Sequence, residues 1–429
     1  MPAATERRSL YLERFTDALR RADGEPGWMR RRRERAMERF LTLGVPTRRD
    51  EEYKYTNLTA LRDARLLLGP ARSGGLPIDA PHIPAGQRAV VFAGEPGQVT
   101  VRGEPPRGVR VRRLSKVLRT DPPGLETHLA ATAQFKDHPL CALNTALFAD
   151  GVVIESEPGV IAEEPVHVSF GDGLGARHPR VLILARRNSS VRVVERHSGA
   201  GAFWRNAVTE IVAEPNARVD HFRAQLDSLD AYHTGVVQAS QERDSYVSSF
   251  SLSFGAALAR NDIGTRLVGS GCECSLDGLF AVRGSQHVDH HTAIDHAMPH
   301  CNSHQLYKGV LDDRARGVFN GKIFVRRDAQ KTDAVQSNKN LLLSDEAEVN
   351  TKPQLEIDAN DVRCTHGATI GQLDATAAFY LRSRGISAAH ARNILTYAFA
   401  ADALERIRDA SLKEHFESVL LSRFAREEH

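Results

Sequence analysis

A loose repeat of about 28 residues constrains the fold of this chain more than any other feature of its sequence. Between residues 151 and 371, short runs rich in Val, Ile and Leu alternate with polar turns, and similar segments begin at Val191, Val219, Val247 and Cys274. These starting points are 28, 28 and 27 residues apart. Such a period is typical of solenoids, in which each coil buries its inward face by stacking on its neighbours. An antiparallel sandwich is the alternative, but its turns would recur about every 8 to 12 residues. We therefore predict a β-solenoid.

Helical patterns flank the β-rich body. Apolar residues recur at steps of three and four residues from about residue 9 to residue 61, and again after Ser387, which can cap a helix. The segment from about residue 69 to residue 110 is rich in Gly and Pro, which predicts a linker with short strands. The chain is thus divided into three parts: an N-terminal helical region and linker (1–110), a solenoid core (111–372) and a C-terminal helical region (373–429).

Charge and cysteine content exclude several classes of function. The 57 Lys and Arg residues exceed the 54 Asp and Glu residues by only three, which argues against a general nucleic-acid-binding protein. The longest aliphatic runs are far shorter than a membrane span. Five cysteines, an odd number in a long chain, indicate reduced thiols and a cytoplasmic location. Phosphate-binding loops and nucleophile elbows are missing from the sequence, so no common enzyme chemistry is indicated.

The densest group of ionisable side chains is a stretch of 18 residues that contains six histidines, at positions 287, 290, 291, 296, 300 and 304. On a strand, His287, Asp289 and His291 would share one face, and His290 would lie on the other. Imidazole is a common ligand of transition metals, so His287 and His291 are candidate metal ligands. The alternative is a hydrogen-bonded polar core. The metal interpretation would make the chain a stand-alone metal-dependent β-helix enzyme that uses the cluster from His287 to His304.

Two cysteine motifs differ in their setting. Cys272 and Cys274 form a C-x-C pair inside the β-rich body, for which buried structural cysteines are the preferred interpretation. Cys364 and His366 lie where the β-rich body gives way to helices. In an extended strand their side chains would project to one face and form a thiolate–imidazole pair able to hold sulfur or iron.

Beyond these motifs, a long and ordered series of segments closely resembles the SufB/SufD family of iron–sulfur cluster assembly proteins. The segments include Ala315–Ile323, Gln336–Ser344, Thr351–Ile357 and Cys364–Thr369. Within the family the sequence looks more like SufD, because Asn338 stands where SufB is expected to carry an essential cysteine. A side-chain amide cannot carry a persulfide.

This resemblance implies a mainly β fold, a right-handed parallel β-helix core with helical regions at both ends. It also implies a non-catalytic scaffold in a complex with SufB and two copies of the ATPase SufC, while a homodimer of the isolated chain is left open. The residues matching His366 and Cys364 would be candidate iron or cluster ligands at the SufB interface. The iron–sulfur cluster would be transient and shared with SufB, and this chain alone would bind none tightly. The resemblance places SufC binding on the C-terminal helices, where the candidate residues are Ser387, Ile394, Tyr397, Phe399 and Leu404.

Overall fold

The computed structural model describes residues 4–62, 89–92, 99–120, 124–171 and 176–424 of the 429-residue chain. Much of the predicted linker, between residues 69 and 98, lies outside the described residues. The centre of the molecule is a parallel β-solenoid built from two ten-stranded sheets. The predicted β-solenoid and the helices at both ends are therefore confirmed.

The first sheet has the strand order β2-β1-β5-β8-β10-β12-β14-β16-β18-β20. Its strands are β1 (Ala89–Phe92), β2 (Val99–Arg102), β5 (Val166–Phe170), β8 (Ser190–His197), β10 (Arg218–Gln225), β12 (Tyr246–Ser253), β14 (Glu273–Val282), β16 (Asn302–Leu311), β18 (Asp333–Leu342) and β20 (Arg363–Gly371). All neighbours pair in parallel except β1 and β2, which are antiparallel.

The second sheet has the order β19-β17-β15-β13-β11-β9-β7-β4-β3, and β6 pairs with β9 beside this path. Its strands are β3 (Val109–Arg113), β4 (Gly151–Ser156), β6 (Ala176–Arg177), β7 (Arg180–Ala185), β9 (Trp204–Ala213), β11 (Tyr232–Gln241), β13 (Leu258–Leu267), β15 (His287–His296), β17 (Arg316–Val325) and β19 (Glu348–Ile357). Only β3 and β4 are antiparallel neighbours among these described strands.

The register of the first sheet reproduces the repeat seen in the sequence. Val191 pairs with Val219, Val219 with Val247, and Val247 with Cys274. All four side chains are buried in the main interior cluster of the solenoid. Each coil thus places an apolar residue directly over the one before it, which is how a 28-residue period buries its inward face.

One corner of the solenoid is built by a column of residues with positive φ. Asn188, Asn216 and Asp244 have φ of 58°, and Gly271, one coil further, has φ of 72°. Asn and Asp tolerate this left-handed conformation better than most residues. A Cβ atom at Gly271 would also lie 2.3 Å from Oδ1 of Asp244, so the Asp244 side chain would have to move. The Asn, Asp and Gly residues of the turns therefore define where the chain changes direction.

The interior also contains a buried charged group. The carboxylate of Glu195 accepts hydrogen bonds from Nε2 of His221 (3.1 Å), from Nε2 of His197 (3.3 Å) and from the hydroxyl of Thr209 (2.7 Å). Burial opposes the charge, but the hydrogen bonds from the two histidines hold the pKa of Glu195 well below its usual range. The polar side chains around Glu195 thus form one hydrogen-bonded group in the interior.

The described α-helices lie before β4 and after β20 in the chain. They are α1 (Ala4–Arg21), α2 (Gly27–Leu43), α3 (Leu114–Thr120), α4 (Leu125–His128), α5 (Pro139–Leu147), α6 (Ala375–Ser383), α7 (Ala388–Leu404) and α8 (Ala410–Phe424). Every residue of α5 is buried, and α1 and α2 pack against it. At the other end, α7 and α8 pack their apolar residues on the outer face of the first sheet, against residues such as Phe222 and Phe250. As expected, Ser387 caps α7, because its hydroxyl accepts a hydrogen bond from the backbone N–H of His390.

Candidate functional site

The last coil of the solenoid leaves one long edge of each sheet uncovered by any described strand. Among the described strands, β20 pairs only with β18, and β19 pairs only with β17. Ile370 on β20 is 50% exposed and Ile357 on β19 is 41% exposed, whereas the earlier strands are mostly buried. An uncovered strand presents unpaired N–H and C=O groups and accepts a further strand readily. This end of the solenoid, formed by β19 and β20, is called the open coil below.

Cys364 and His366 both lie on β20 of the open coil. Cys364 pairs with the buried Ala334, and His366 pairs with the buried Gln336. Both residues therefore continue inward-facing columns, which confirms that they share one face of the strand. His366 is exposed because no described coil covers it, whereas Cys364 is half-buried against the interior cluster.

The environments of the two side chains suit different roles. Burial raises the pKa of the Cys364 thiol, so the thiol form is favoured at neutral pH. His366 offers an accessible imidazole, which is a good ligand for iron. Asn338, one coil inward, is buried, and its Nδ2 donates a hydrogen bond to the carbonyl oxygen of Tyr307 at 3.1 Å. Asn338 therefore serves the packing of the interior.

On β15, His287 and His291 contact a segment from the N-terminal region. Nε2 of His287 lies 2.9 Å from the hydroxyl of Thr56, and the same hydroxyl donates to Asp289. His291 lies between Asp289 (3.2 Å) and Glu52 (3.3 Å). Burial and a nearby arginine oppose protonation, but these two carboxylates raise the pKa of His291. The predicted shared face of His287, Asp289 and His291 is confirmed, and it anchors the chain around Glu52 to the solenoid.

The other four histidines of this stretch lie apart from that face. His290 points into the interior, Nε2 of His296 bonds the hydroxyl of Ser303 at 2.9 Å, and His300 and His304 are exposed. Within the described ranges, no group of three or more His, Cys, Asp or Glu side chains is arranged to hold a metal ion. Metal binding by His287 and His291 stays a prediction.

His290 gives a testable pH dependence. Its ring lies between those of Phe280 (5.6 Å) and Tyr307 (5.3 Å), and neither nitrogen has a hydrogen-bond partner among the described residues. Burial lowers its pKa to about 3. The pKa of His290 is lower in the folded state than in the unfolded chain. Its effect on the unfolding free energy is therefore absent above pH ~6.5, and below that pH the unfolded chain takes up the proton and the folded protein loses stability.

Replacing His290 with Leu should remove this loss. Between pH 7 and pH 5 the wild type should lose about 2 kcal/mol of unfolding free energy that His290→Leu retains. Urea unfolding at both pH values measures the difference. His304→Leu, which changes an exposed histidine, is the control and should follow the wild type. An equal acid loss in His290→Leu and wild type would contradict the assignment.

Four of the five cysteines are buried, which confirms the structural interpretation for Cys272 and Cys274. The contacts nevertheless add a pairing that sequence reasoning missed. The thiols of Cys272 and Cys301 both donate to the carbonyl oxygen of Gly269 (3.1 and 3.4 Å), and the neighbouring Cys301 thiol lowers the pKa of the Cys272 thiol. The signal was present in the repeat, because residues 29 apart lie in neighbouring coils.

The binding residues predicted on the C-terminal helices include both buried and exposed side chains. Ser387 and Ile394 are exposed, Tyr397 and Phe399 are partly buried, and Leu404 is fully buried against the first sheet. Leu404 therefore attaches α7 to the solenoid and is not available to a partner. Lys308 strengthens this attachment, since its Nζ donates to the carbonyl oxygen of Phe399 at 2.8 Å and forms an ion pair with Asp402.

Sequence reasoning missed the most exposed aromatic residues of this region. Phe379 is 70% exposed and Tyr380 is 57% exposed, both on α6. No residue of α6 is buried. The two adjacent aromatic residues in the sequence were the available signal, because exposed aromatic side chains are typical of binding surfaces.

Comparison with known proteins gives the same assignment along nearly the whole chain. The family model described as "SUF system FeS cluster assembly, SufBD core domain" matches residues 168–399, and the model of the SufBD protein N-terminal region matches residues 6–65 and 94–168. None of the described helices is long and apolar enough to cross a membrane.

Curated relatives cover most of the chain. An iron–sulfur cluster assembly SufBD family protein of Synechocystis is 30% identical over 404 residues, which is 89% of this chain and 88% of that protein. The iron–sulfur cluster assembly protein SufD of Escherichia coli is 30% identical over 397 residues, 88% of this chain and 89% of the relative. The chloroplastic protein ABCI7 of Arabidopsis thaliana is 26% identical over 419 residues, 94% of this chain and 87% of the relative. The chain belongs to the SufBD family of iron–sulfur cluster assembly proteins, and it is SufD-like.

Proposed function

We propose that this chain is a non-catalytic scaffold subunit that pairs with SufB, binds the ATPase SufC and supplies a ligand to a cluster assembled between the subunits in the cytoplasm. The observation that carries the proposal is the open coil, where His366 continues an inward-facing column and none of the described strands lies above it. Membership of the family and the identity with a protein named SufD support the choice of partners.

Pairing through the open coil follows from the unpaired edges of β19 and β20. A partner that adds strands there would satisfy the free N–H and C=O groups and cover Ile357 and Ile370. His366 would then lie at the interface, next to Cys364. An iron–sulfur cluster is commonly held by four ligands, and these two residues supply at most two. The cluster is therefore cargo shared with the partner, whose residues would complete the ligand set.

Binding of SufC would use the exposed part of the C-terminal helices. Phe379 and Tyr380 on α6 and Ile394 on α7 are the large exposed side chains of this region that we assign to the contact. Because Leu404 and Lys308 fix α7 to the solenoid, a movement of the bound ATPase would be passed to the sheets. The separation of the two surfaces allows each to be tested alone.

Co-purification of the full chain with SufB and SufC tests both surfaces. Ile357→Asp with Ile370→Asp should lower capture of SufB at least about tenfold and leave capture of SufC unchanged, because a charge in an apolar interface is costly. Phe379→Asp with Tyr380→Asp should lower capture of SufC at least about tenfold and leave capture of SufB unchanged. The matched control is Ile161→Asp, since Ile161 is 67% exposed and lies far from both surfaces along the solenoid. Capture of both partners by either double variant at wild-type levels would exclude the surface it changes.

A further inference from the structure

A cleft of about 380 Å³ lies between a corner of the solenoid and the C-terminal helices. The turn after β14 forms one wall with Arg283, α7 forms another with Thr396, and Arg423 near the end of α8 closes it. Cavities of this size are typical of small-molecule sites. The cleft is separate from the open coil and from the exposed aromatic residues of α6.

Two of the arginines in this cleft have no acidic partner among the described residues. Nε of Arg423 donates to the carbonyl oxygen of Ala281 at 3.1 Å, and its Nη2 donates to Oε1 of Gln286. Arg283, from the facing wall, is exposed, and its guanidinium forms no ion pair within the described part of the chain. Burial and the charge of Arg283 lower the pKa of Arg423 to about 10. Two arginines that line the cleft therefore form no ion pair with a described carboxylate.

The remaining charges of the cleft do not remove this excess. Arg392 is paired with Asp312 at 2.9 Å, and Asp313 accepts a hydrogen bond from the backbone N–H of Gly284 at 2.9 Å. The walls thus carry three arginines against two aspartates. This net positive charge favours an anionic ligand whose oxygens accept hydrogen bonds from both arginines that lack an acidic partner.

An orphaned hydroxyl supplies an independent observation. Thr396 is 1% exposed and lines the cleft, and its Oγ1 has no hydrogen-bond partner among the described residues. A threonine inside a helix usually bonds the carbonyl oxygen one turn earlier, and a buried hydroxyl without a partner costs stability. A rotation of the Thr396 side chain toward the cleft would let a ligand oxygen satisfy this hydroxyl.

We propose that the cleft binds the phosphate monoester of a small organic molecule. Arg283 and Arg423 hold the phosphate oxygens and the Thr396 hydroxyl completes the contacts, while the organic part packs on Val282 and Leu343. The ligand joins the solenoid to α7 and α8, so its binding stabilises the docked position of the C-terminal helices. This inference stands on the cleft alone and does not depend on the proposed partners.

Phenyl phosphate, which carries a phosphate dianion on an apolar ring, is a suitable probe. Isothermal titration of the full chain should give a dissociation constant below about 1 mM, and the probe should raise the melting temperature. Inorganic phosphate, which lacks the apolar part, and benzoate, which has one charge, should each bind at least about tenfold more weakly. Absence of phenyl phosphate binding, or equal binding of either other anion, overturns the proposal.

Two single substitutions test whether the probe binds in this cleft, and both should leave the fold intact. Arg283→Gln changes an exposed side chain and should weaken phenyl phosphate binding about tenfold or more, since hydrogen bonds to charged groups are strong. Thr396→Val should weaken binding about threefold or more, while the melting temperature of the free protein stays equal or rises because the orphaned hydroxyl is gone. Arg327→Gln, an exposed arginine on another turn, is the control and should bind as the wild type does. Wild-type affinity in the first two variants overturns the assignment.

Discussion

Replacing His366 with Ala should abolish cluster assembly in a reconstitution with SufB and SufC, with a loss of at least about tenfold in cluster yield. The side chain is exposed on the open coil, so its removal should leave the fold and the three-subunit complex intact. Anaerobic iron and sulfide analysis, together with the visible absorbance of the cluster, measures the yield. Size-exclusion chromatography of the same sample measures the complex.

His366→Cys separates a ligand role from a structural one. A thiolate can replace an imidazole as an iron ligand, so this variant should recover part of the yield that His366→Ala loses. Cys364→Ser should cause a smaller loss, because the raised pKa of Cys364 disfavours its thiolate. His304→Ala, an exposed histidine on β16, is the matched control. Full cluster yield in His366→Ala would refute the ligand assignment.

Replacing Arg180 with Met should cost about 3 to 5 kcal/mol of unfolding free energy. Arg180 and Glu210 are both fully buried, and their side chains form two hydrogen bonds, of 2.6 and 3.0 Å. The other end of the guanidinium donates to Asn144 and Thr145 of α5, each at 3.0 Å. Without Arg180, the carboxylate of Glu210 would remain buried without its cationic partner, bonded only to the backbone N–H groups of Ala130 (2.8 Å) and Ala133 (2.9 Å).

Chemical unfolding of three variants tests this explanation. The double variant Arg180→Met with Glu210→Leu should be more stable than Arg180→Met alone, since no isolated charge remains in the interior. Arg20→Met breaks an exposed ion pair with Asp17 and should leave stability nearly unchanged. If Arg180→Met were as stable as Arg20→Met, the buried pair would not hold α5 on the solenoid.

The repeat in the sequence predicts much of the fold because each coil stacks on the coil that precedes it in the chain. Each coil repeats the pattern of the one before, so aligning Val191 with Val219 and Val247 already gives the strand register. The same logic of alternation places His287 and His291 on one face, and Cys364 and His366 on another. These predictions need only the geometry of a strand and the period of the chain.

Contacts between distant parts of the chain could not be predicted in this way. Thr56 meets His287 across 231 residues, and no spacing rule connects them. The helix α5 has no exposed face and is mostly apolar, so periodicity alone does not distinguish it from a buried strand. The cleft beside Arg423 exists only because α8 returns to the corner after β14. Such features depend on tertiary packing.

The open coil also affects how the protein behaves before it meets a partner. A flat edge with exposed isoleucines can accept a strand from any chain, including another copy of itself, and head-to-tail addition of copies would not close. Chain whose open coil stays uncovered is therefore an aggregation hazard. If SufB covers the open coil as we propose, balanced synthesis of the two chains would lower this risk.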